Sequence, residues 1–383
     1  MIAFRLLPLV ALALLAAATS PLGAQANLSG QGLGYPQGQL STRALGTGGA
    51  IGETDPLSLV NPAALAFTPA TTLFFQIEPE YRKVVVGSLT DNTTTARYPL
   101  FAAILPIGSS WAVGITSSTL LDRTWTTSVD SSVVFGTDTV SSTFLFGSSG
   151  SINDLRLAGA WTPNTYIRLG LGGHLISGSD REFVGRQFVN NTAFASFADS
   201  STLSFDGGAV SGGIEVVAPK LLVASASYRW GGTLNARRND TTLARGRVPD
   251  RLGLSLAYIG IEGTEIAART SYNKWSELNG LNQGTTPPAV NAWDSSVGAE
   301  VAGPKLGSQP LMLRLGGRWR TLPYEAGPTF QKVKEQTFNA GFGLTMASGR
   351  VITDVGLAHA HRDAGIGIIE RAWTLSIGLG IRP

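Results

Sequence analysis

From about residue 71 onward, apolar and polar residues alternate in short runs. In "LMLRLGGRWR", Leu311, Leu313, Leu315 and Trp319 share one parity, while Arg314, Arg318 and Arg320 share the other. "RAWTLSIGLGIR" sets Trp373, Leu375, Ile377, Leu379 and Ile381 against Thr374, Ser376, Gly378 and Gly380. "TFNAGFGLTM", "RLGLSLAY", "DLRLAGAW", "YIRLGLGG" and "LLVASASYRW" repeat the pattern. Side chains on a strand point to opposite sides in turn, so each run has one apolar and one polar face; a helix has no use for this period. The runs predict about fourteen strands: near 71–82, 96–107, 111–122, 151–162, 165–178, 203–218, 220–232, 249–260, 263–276, 291–303, 309–321, 334–348, 350–362 and 370–382.

The connections sort themselves. "IGSS", "TPNT", "APK", "GIEG" and "ASGR" are short, and they alternate with long polar links: "GSLTDNTTTAR", about thirty residues from Asp122, then 179–202, 233–248 and 277–290. The links near 304–308 and 363–369 are of middling and short length. An outer-membrane barrel has short turns at its periplasmic end and long external loops, and an even strand number leaves both chain ends periplasmic. A secreted sandwich or propeller has no reason to sort its loops. The fold class expected is all-β: a transmembrane antiparallel β-barrel. Trp111, Trp161, Trp230, Trp275, Trp293, Trp319, Tyr258, Tyr272 and Trp373 fall near strand ends, where an interfacial girdle belongs.

The N-terminus fits export to that place. Arg5 precedes an apolar run over residues 6–18, and a small-residue Ala-Gln-Ala site follows at 24–26. This is the layout of a signal peptide over 1–26, too short for a spanning helix. Charged residues are only 14% of the chain, against about 25% in soluble proteins. There is no cysteine, hence no disulfide and no thiolate chemistry. The net charge of +3 becomes +2 without Arg5, and the basic residues are scattered, which argues against a nucleic-acid partner.

No catalytic constellation emerges, and neither enzyme activity nor a cofactor is expected. "GSSGS" lacks the final glycine of a nucleophile elbow, and "GTGGAIG" follows no strand. His359 and His361 share the outward parity of Val355 and Leu357, which suits interfacial residues better than metal ligands. His174 has inward parity, as do Arg156, Arg168, Arg229, Arg251, Arg269, Arg314 and Arg318, with Asp154, Glu265, Asp294 and Glu300. Both signs are present, so a lumen ladder of cross-strand pairs is expected. A subset of the arginines would meet an anionic head group, with Arg156, Arg168, His174, Arg269, Arg314 and Arg318 the candidates.

Residues 27–70 do not alternate. Thr54 or Asp55 reads as a helix cap, Pro56 as a first-turn residue, and Asn61-Pro62 as the break that ends the helix. An acidic residue, a short apolar turn and then Asn-Pro-Ala with a leucine, "DPLSLVNPAALA" at 55–66, before such a barrel, resembles the FadL-type outer-membrane transporters. It is similar also to the outer-membrane shuttle proteins of the type 9 secretion system. The resemblance implies a monomer in the bacterial outer membrane that passes hydrophobic small molecules, such as long-chain fatty acids or aromatic hydrocarbons. It implies an N-terminal hatch over 27–70 plugging a barrel over 71–383, with Asp55, Asn61, Pro62, Ala63 and Leu65 as the hatch motif. A kink in the third strand, "WAVGITSSTLLD", would give a lateral exit to the lipid, and Gly114 is the candidate for a bulge there. Phe135, Phe144, Phe146, Phe183, Phe188, Phe194 and Phe197 in the external links would capture ligand. The ending "GLGIRP" departs from the aromatic terminus common in such barrels. Two other readings stand beside transport: a shuttle or scaffold that binds a protein partner, and a general diffusion porin.

Overall fold

The computed structural model describes residues 33–383 apart from 87–88, 136–137, 189–194, 282–287, 307–308, 327–330 and 366. The expected leader, residues 27–32, Phe194 and the Phe135 side chain lie outside the described residues.

The alternating runs form one sheet. Its strands are β1 (Thr72–Val86), β2 (Leu89–Ile107), β3 (Trp111–Asp122), β4 (Trp125–Phe135), β5 (Asp138–Asn164), β6 (Ile167–Phe188), β7 (Phe197–Ala218) and β8 (Leu222–Arg238). β9 (Thr241–Arg247), β10 (Arg251–Tyr258), β11 (Thr264–Asn273), β12 (Ala292–Leu306), β13 (Gln309–Ala326), β14 (Gln331–Met346), β15 (Val351–Asp363) and β16 (Ile368–Ile381) follow. Fourteen of them close into an antiparallel barrel, with Leu73 of β1 opposite Ile381 of β16. β4 pairs with β5, and β9 pairs with β8, as extensions of the wall.

The two faces of the wall differ as the alternation requires. Leu157, Leu171, Leu315 and Phe338 point outward and are 67–75% exposed. An apolar surface of that extent aggregates in water and is matched by lipid, so the barrel spans a membrane. Trp111 stacks on Trp161 at 5.6 Å, Tyr272 lies 5.0 Å from Trp293, and His359 lies 4.4 Å from Trp373, so these aromatics sit together on the outer face. Trp275 is the exception among the expected girdle residues. It is 5% exposed and, with Leu278 and Leu281 on the 3-10 turn Trp275–Leu281, packs inward against Ile176, Phe205 and Leu234. That turn is part of the connection after β11, and it folds into the top of the lumen.

The long external links are largely strand rather than loop. β5 runs for 27 residues and β6 and β7 for 22 each, so the wall continues well past the length that lipid demands. Outside the bilayer the outward face meets water instead of lipid and need not be apolar, so serine- and threonine-rich segments pair there without alternating.

Residues 33–70 lie inside the barrel. A short helix, α1 (Thr42–Gly46), is capped by the Ser41 hydroxyl, and a 3-10 turn follows at Pro62–Phe67. Here the sequence expectation is reversed. Asn61-Pro62 starts a helical turn instead of ending one: Asn61 Oδ1 accepts the Ala63 N–H at 3.0 Å, and proline suits the first helical position. Thr54 and Asp55 cap no helix, because the Asp55 carboxylate is taken by the hydroxyls of Ser41 and Ser58.

Candidate functional site

The inner segment touches every one of the fourteen wall strands. Thr42 bonds Gln76 on β1 and Ser376 on β16; Tyr35 meets Arg97 on β2 and Asp122 on β3; Gln39 donates to Asp154 on β5. Ala63 lies on Gly170 of β6, and Asn61 donates to Glu215 on β7. Glu53 is held from β8, β10 and β11, Arg43 reaches Glu300 on β12, and the Tyr35 hydroxyl faces β13, β14 and β15.

Two of these contacts depend on paired wall glycines. Gly170 and Gly213 face each other across β6 and β7, and a Cβ on them would sit 2.3 Å from Ala63 N and 1.9 Å from Asn61 Oδ1. Gly298 and Gly316 pair across β12 and β13, and their Cβ atoms would fall 2.2 and 2.1 Å from the Thr47 carbonyl oxygen. Any side chain there would displace the segment's backbone.

The charged layers lie on both sides of these seats. Glu53 is fully buried and accepts from Ser227 Oγ at 2.7 Å, Arg269 Nε at 3.3 Å and Arg251. Burial pushes its carboxyl up, but Arg251 and Arg269 outweigh that and hold it below the ordinary carboxylate range. Toward the periplasmic end, Arg43 donates to Glu300 at 2.8 Å and Glu265 at 3.2 Å, and Arg314 joins Glu300 to Asp354 at 2.5 and 2.6 Å. Arg318 grips Asp294 through two donors at 2.8 and 2.6 Å. Arg168 lies 3.7 Å over the Phe67 ring and 3.9 Å from Glu215.

Arg156 breaks this pattern. Its side chain is completely buried, yet among the described residues no carboxylate lies within 4 Å of its guanidinium. It donates to Thr116 Oγ1 at 3.3 Å and the Ser58 carbonyl at 3.5 Å, and its Nη1 has no partner. His174 sits beside it, with Nδ1 2.8 Å from Asp154 and Nε2 2.8 Å from Ser211 Oγ. That chain crosses three regularly paired strands, whose backbone N–H groups are used by the ladder and leave no oxyanion hole.

The wall itself has a slit. β2 and β3 pair from Ile107↔Trp111 up to Leu100↔Ser118 and then part, although β2 goes on along β1 and β3 goes on along β5. Both margins have a local cause. Pro99 precedes Leu100 in the chain, just above it on β2, and has no N–H to give, and β3 changes register between Thr119 and Leu121. Gly114 is regularly paired with Ile104 and Ala158, so the irregularity of the third strand falls five residues beyond it. The glycine instead makes room for Leu65, whose Cδ2 would lie 3.2 Å from a Cβ there. Across the slit Arg97 Nε reaches Asp122 at 2.6 Å, and Tyr35 exchanges two backbone hydrogen bonds with Asp122 at 2.8 and 2.9 Å.

Among the described residues the inner segment leaves little free space: an interior void among Arg229, Arg269 and Arg318 and another beside Tyr35 measure about 40 and 60 Å³. These are water-sized, below the ~300 Å³ of a small-molecule site. A larger recess of about 410 Å³ opens at the periplasmic end between Arg43, Asp55, Phe67 and Asp354.

The sequence placed Asp55, Asn61, Pro62, Ala63 and Leu65 in one segment, and the structure buries all five inside the barrel. Arg156, Arg168, His174, Arg269, Arg314 and Arg318 all face inward but belong to separate layers. Tyr35, Gln39, Arg43 and Glu53 escaped sequence reading, since nothing in a non-alternating segment marks which side chains meet the wall.

No family model matches the sequence, and no curated protein matches it. Solved structures do. A FadL homologue of Pseudomonas aeruginosa aligns with a TM-score of 0.60 at 12% identity, covering 91% of this chain and 99% of that one. The Pseudomonas putida toluene transporter TodX aligns with a TM-score of 0.56 at 13% identity over 92% and 99% of the two chains. The CymD monoaromatic hydrocarbon channel gives 0.55 at 12% over 90% and 97%. At this identity the likeness is one of architecture, and the chain has the fold of the FadL-type outer-membrane barrels.

Proposed function

We propose that the protein is an outer-membrane channel for hydrophobic small molecules, closed here by residues 33–70, in which ligand leaves sideways through the slit between β2 and β3. The observation that carries this reading is the parting of β2 from β3 above Leu100 and Ser118, directly beside the inner segment. An apolar solute gains from entering lipid through a wall opening and gains nothing from a water-filled pore. On the outer extension, the rings of Trp125, Phe144 and Phe146 lie together, with Arg186 against Phe144, and form an apolar surface suited to capture. Arg156 is the receiver for a carboxylate head group, because a buried guanidinium with an unpartnered Nη1 and no carboxylate in direct contact among the described residues is costly, and an incoming anion would relieve it. No chemistry on the ligand is assigned, and the protein acts as a passive conduit.

The slit provides the test. With no native cysteine in the chain, Arg97→Cys and Asp122→Cys introduce a unique pair across it. A reducible bifunctional thiol reagent bridging that pair is expected to stop uptake of a radiolabelled fatty acid or toluene, and reduction to restore it. Uptake that persists through the locked wall sinks the lateral route. Steady ion conductance by the wild-type protein in a planar bilayer would instead favour a diffusion porin. A stable protein partner recovered with a ligand-free barrel would favour the shuttle reading.

A further inference from the structure

Tyr35 is bound by the barrel as though it were a ligand. Its ring lies between three guanidinium groups, with the carbons of Arg362, Arg320 and Arg97 at 4.6, 4.9 and 5.4 Å from the centroid. Its hydroxyl donates to Glu335 Oε2 at 2.9 Å and accepts from Arg362 Nη2 at 2.8 Å and from Arg320 Nη2. A phenol has one proton to give and two lone pairs to fill, so its whole hydrogen-bonding capacity is met. Glu335 also binds Arg320 at 2.5 Å and Arg362 at 2.6 Å, and Arg97 binds Glu80 at 2.7 Å, so the cage is cross-linked without Tyr35. The cage adjoins an interior void, and it lies at the slit, since the backbone of Tyr35 bridges Asp122 on the edge of β3 that β2 has left.

We propose that this cage is a receptor site for a neutral phenol, occupied by the chain's own Tyr35 in the closed state, and that a phenolic ligand displaces Tyr35 and thereby releases the β3 edge of the slit. Three features support this. The surrounding guanidinium groups attract a π-face of any small aromatic ring. Glu335 with its two arginines selects for a hydroxyl on that ring, because a site built around a hydroxyl leaves buried groups unpaired when the hydroxyl is missing. Burial pushes the Tyr35 hydroxyl up to about 12, so the group that the cage accommodates is the neutral phenol. The displacement half of the proposal rests on the slit being the ligand's exit.

The probes are 4-methylphenol, which is the tyrosine side chain itself, and toluene, which is the same ring and methyl without the hydroxyl. In detergent, 4-methylphenol is expected to raise the unfolding temperature of the Tyr35→Ala barrel saturably, with affinity at least ~10-fold above that of toluene. The wild-type protein is expected to bind it more weakly, because Tyr35 must first leave. Glu335→Gln combined with Tyr35→Ala is expected to remove the preference for the hydroxyl. If Tyr35→Ala does not refold alone, refolding in 4-methylphenol is expected to restore the heat-modifiable barrel. In the wild type, saturating 4-methylphenol is expected to speed hydrogen exchange at the Tyr35 amide, which is bonded to Asp122. Equal affinity for the two probes, no saturable shift, or no rescue of refolding overturns the receptor site. Unchanged exchange at Tyr35 overturns the displacement. Neither outcome touches the cross-link test of the exit, and a failed cross-link test leaves the phenol affinity standing.

Discussion

The two ends of the inner segment are held by different physics. At its lower end, Asn61–Ala63 and Thr47 lie on glycine pairs at distances that exclude even a methyl group, so shape fixes them. At its upper end, Tyr35 is held by a charge-assisted cage and two backbone bonds, all interactions that another polar group can replace. Contacts of the first kind cannot be exchanged, and contacts of the second kind can. A segment fastened in this way is expected to open from the top while remaining seated below.

This contrast can be broken at graded cost. Glu53→Ala, at the junction of the two regions, leaves Arg251 and Arg269 buried beside an empty space and is expected to cost about 3–5 kcal/mol, read from urea unfolding in detergent. Gly213→Val drives a side chain into Asn61 and is expected to cost about 1–3 kcal/mol and to raise proteolysis of residues 39–66, while a valine at the outward-facing Gly173, which meets open space, leaves both unchanged. Asn61→Ala removes the cap of the 3-10 turn and should cost about 1 kcal/mol, altering ligand passage with the barrel still folded. Unaltered uptake in that variant would separate the lower seat from the transport path.

Acid gives the smallest and most reversible change. The Glu53 carboxyl is held below its ordinary value in the folded state, so its contribution is complete above the unfolded carboxylate range and fades as pH falls through the lower folded value. Protection of the amides over residues 39–66, taken against the intrinsic exchange rate at each pH, should therefore be flat at neutral pH and fall only below about pH 4. A fall already at pH 6 would point to another group.

Much of this was legible in the sequence. The fourteen wall strands, their parity and the inward arginines follow from alternation, since lipid on one side and a filled lumen on the other leave a strand little choice. The extensions β4 and β9 were not legible, because above the membrane the outward face meets water instead of lipid and the apolar half of the pattern disappears. Asn61-Pro62 carries signals for both a break and a start, and only its neighbours decided for the start. Gly114 drew attention as a candidate bulge, but a lone glycine does not say whether it bends a strand or admits a neighbour, and Leu65 supplied the reason. Pro99 was a readable cause of the slit, yet its meaning needed the register of β2 on β3.

The sequence by itself thus determined the barrel and which side chains face its interior, because a period of two is a local property that the solvent on each face enforces. The tertiary structure alone decided which charges meet, that no carboxylate among the described residues lies within 4 Å of the Arg156 guanidinium, and that Tyr35 lies in a cage at the open edge of β3. Those outcomes join residues three hundred positions apart and more, as in Tyr35 with Glu335 and Arg362, and closure of the barrel is what brings them together.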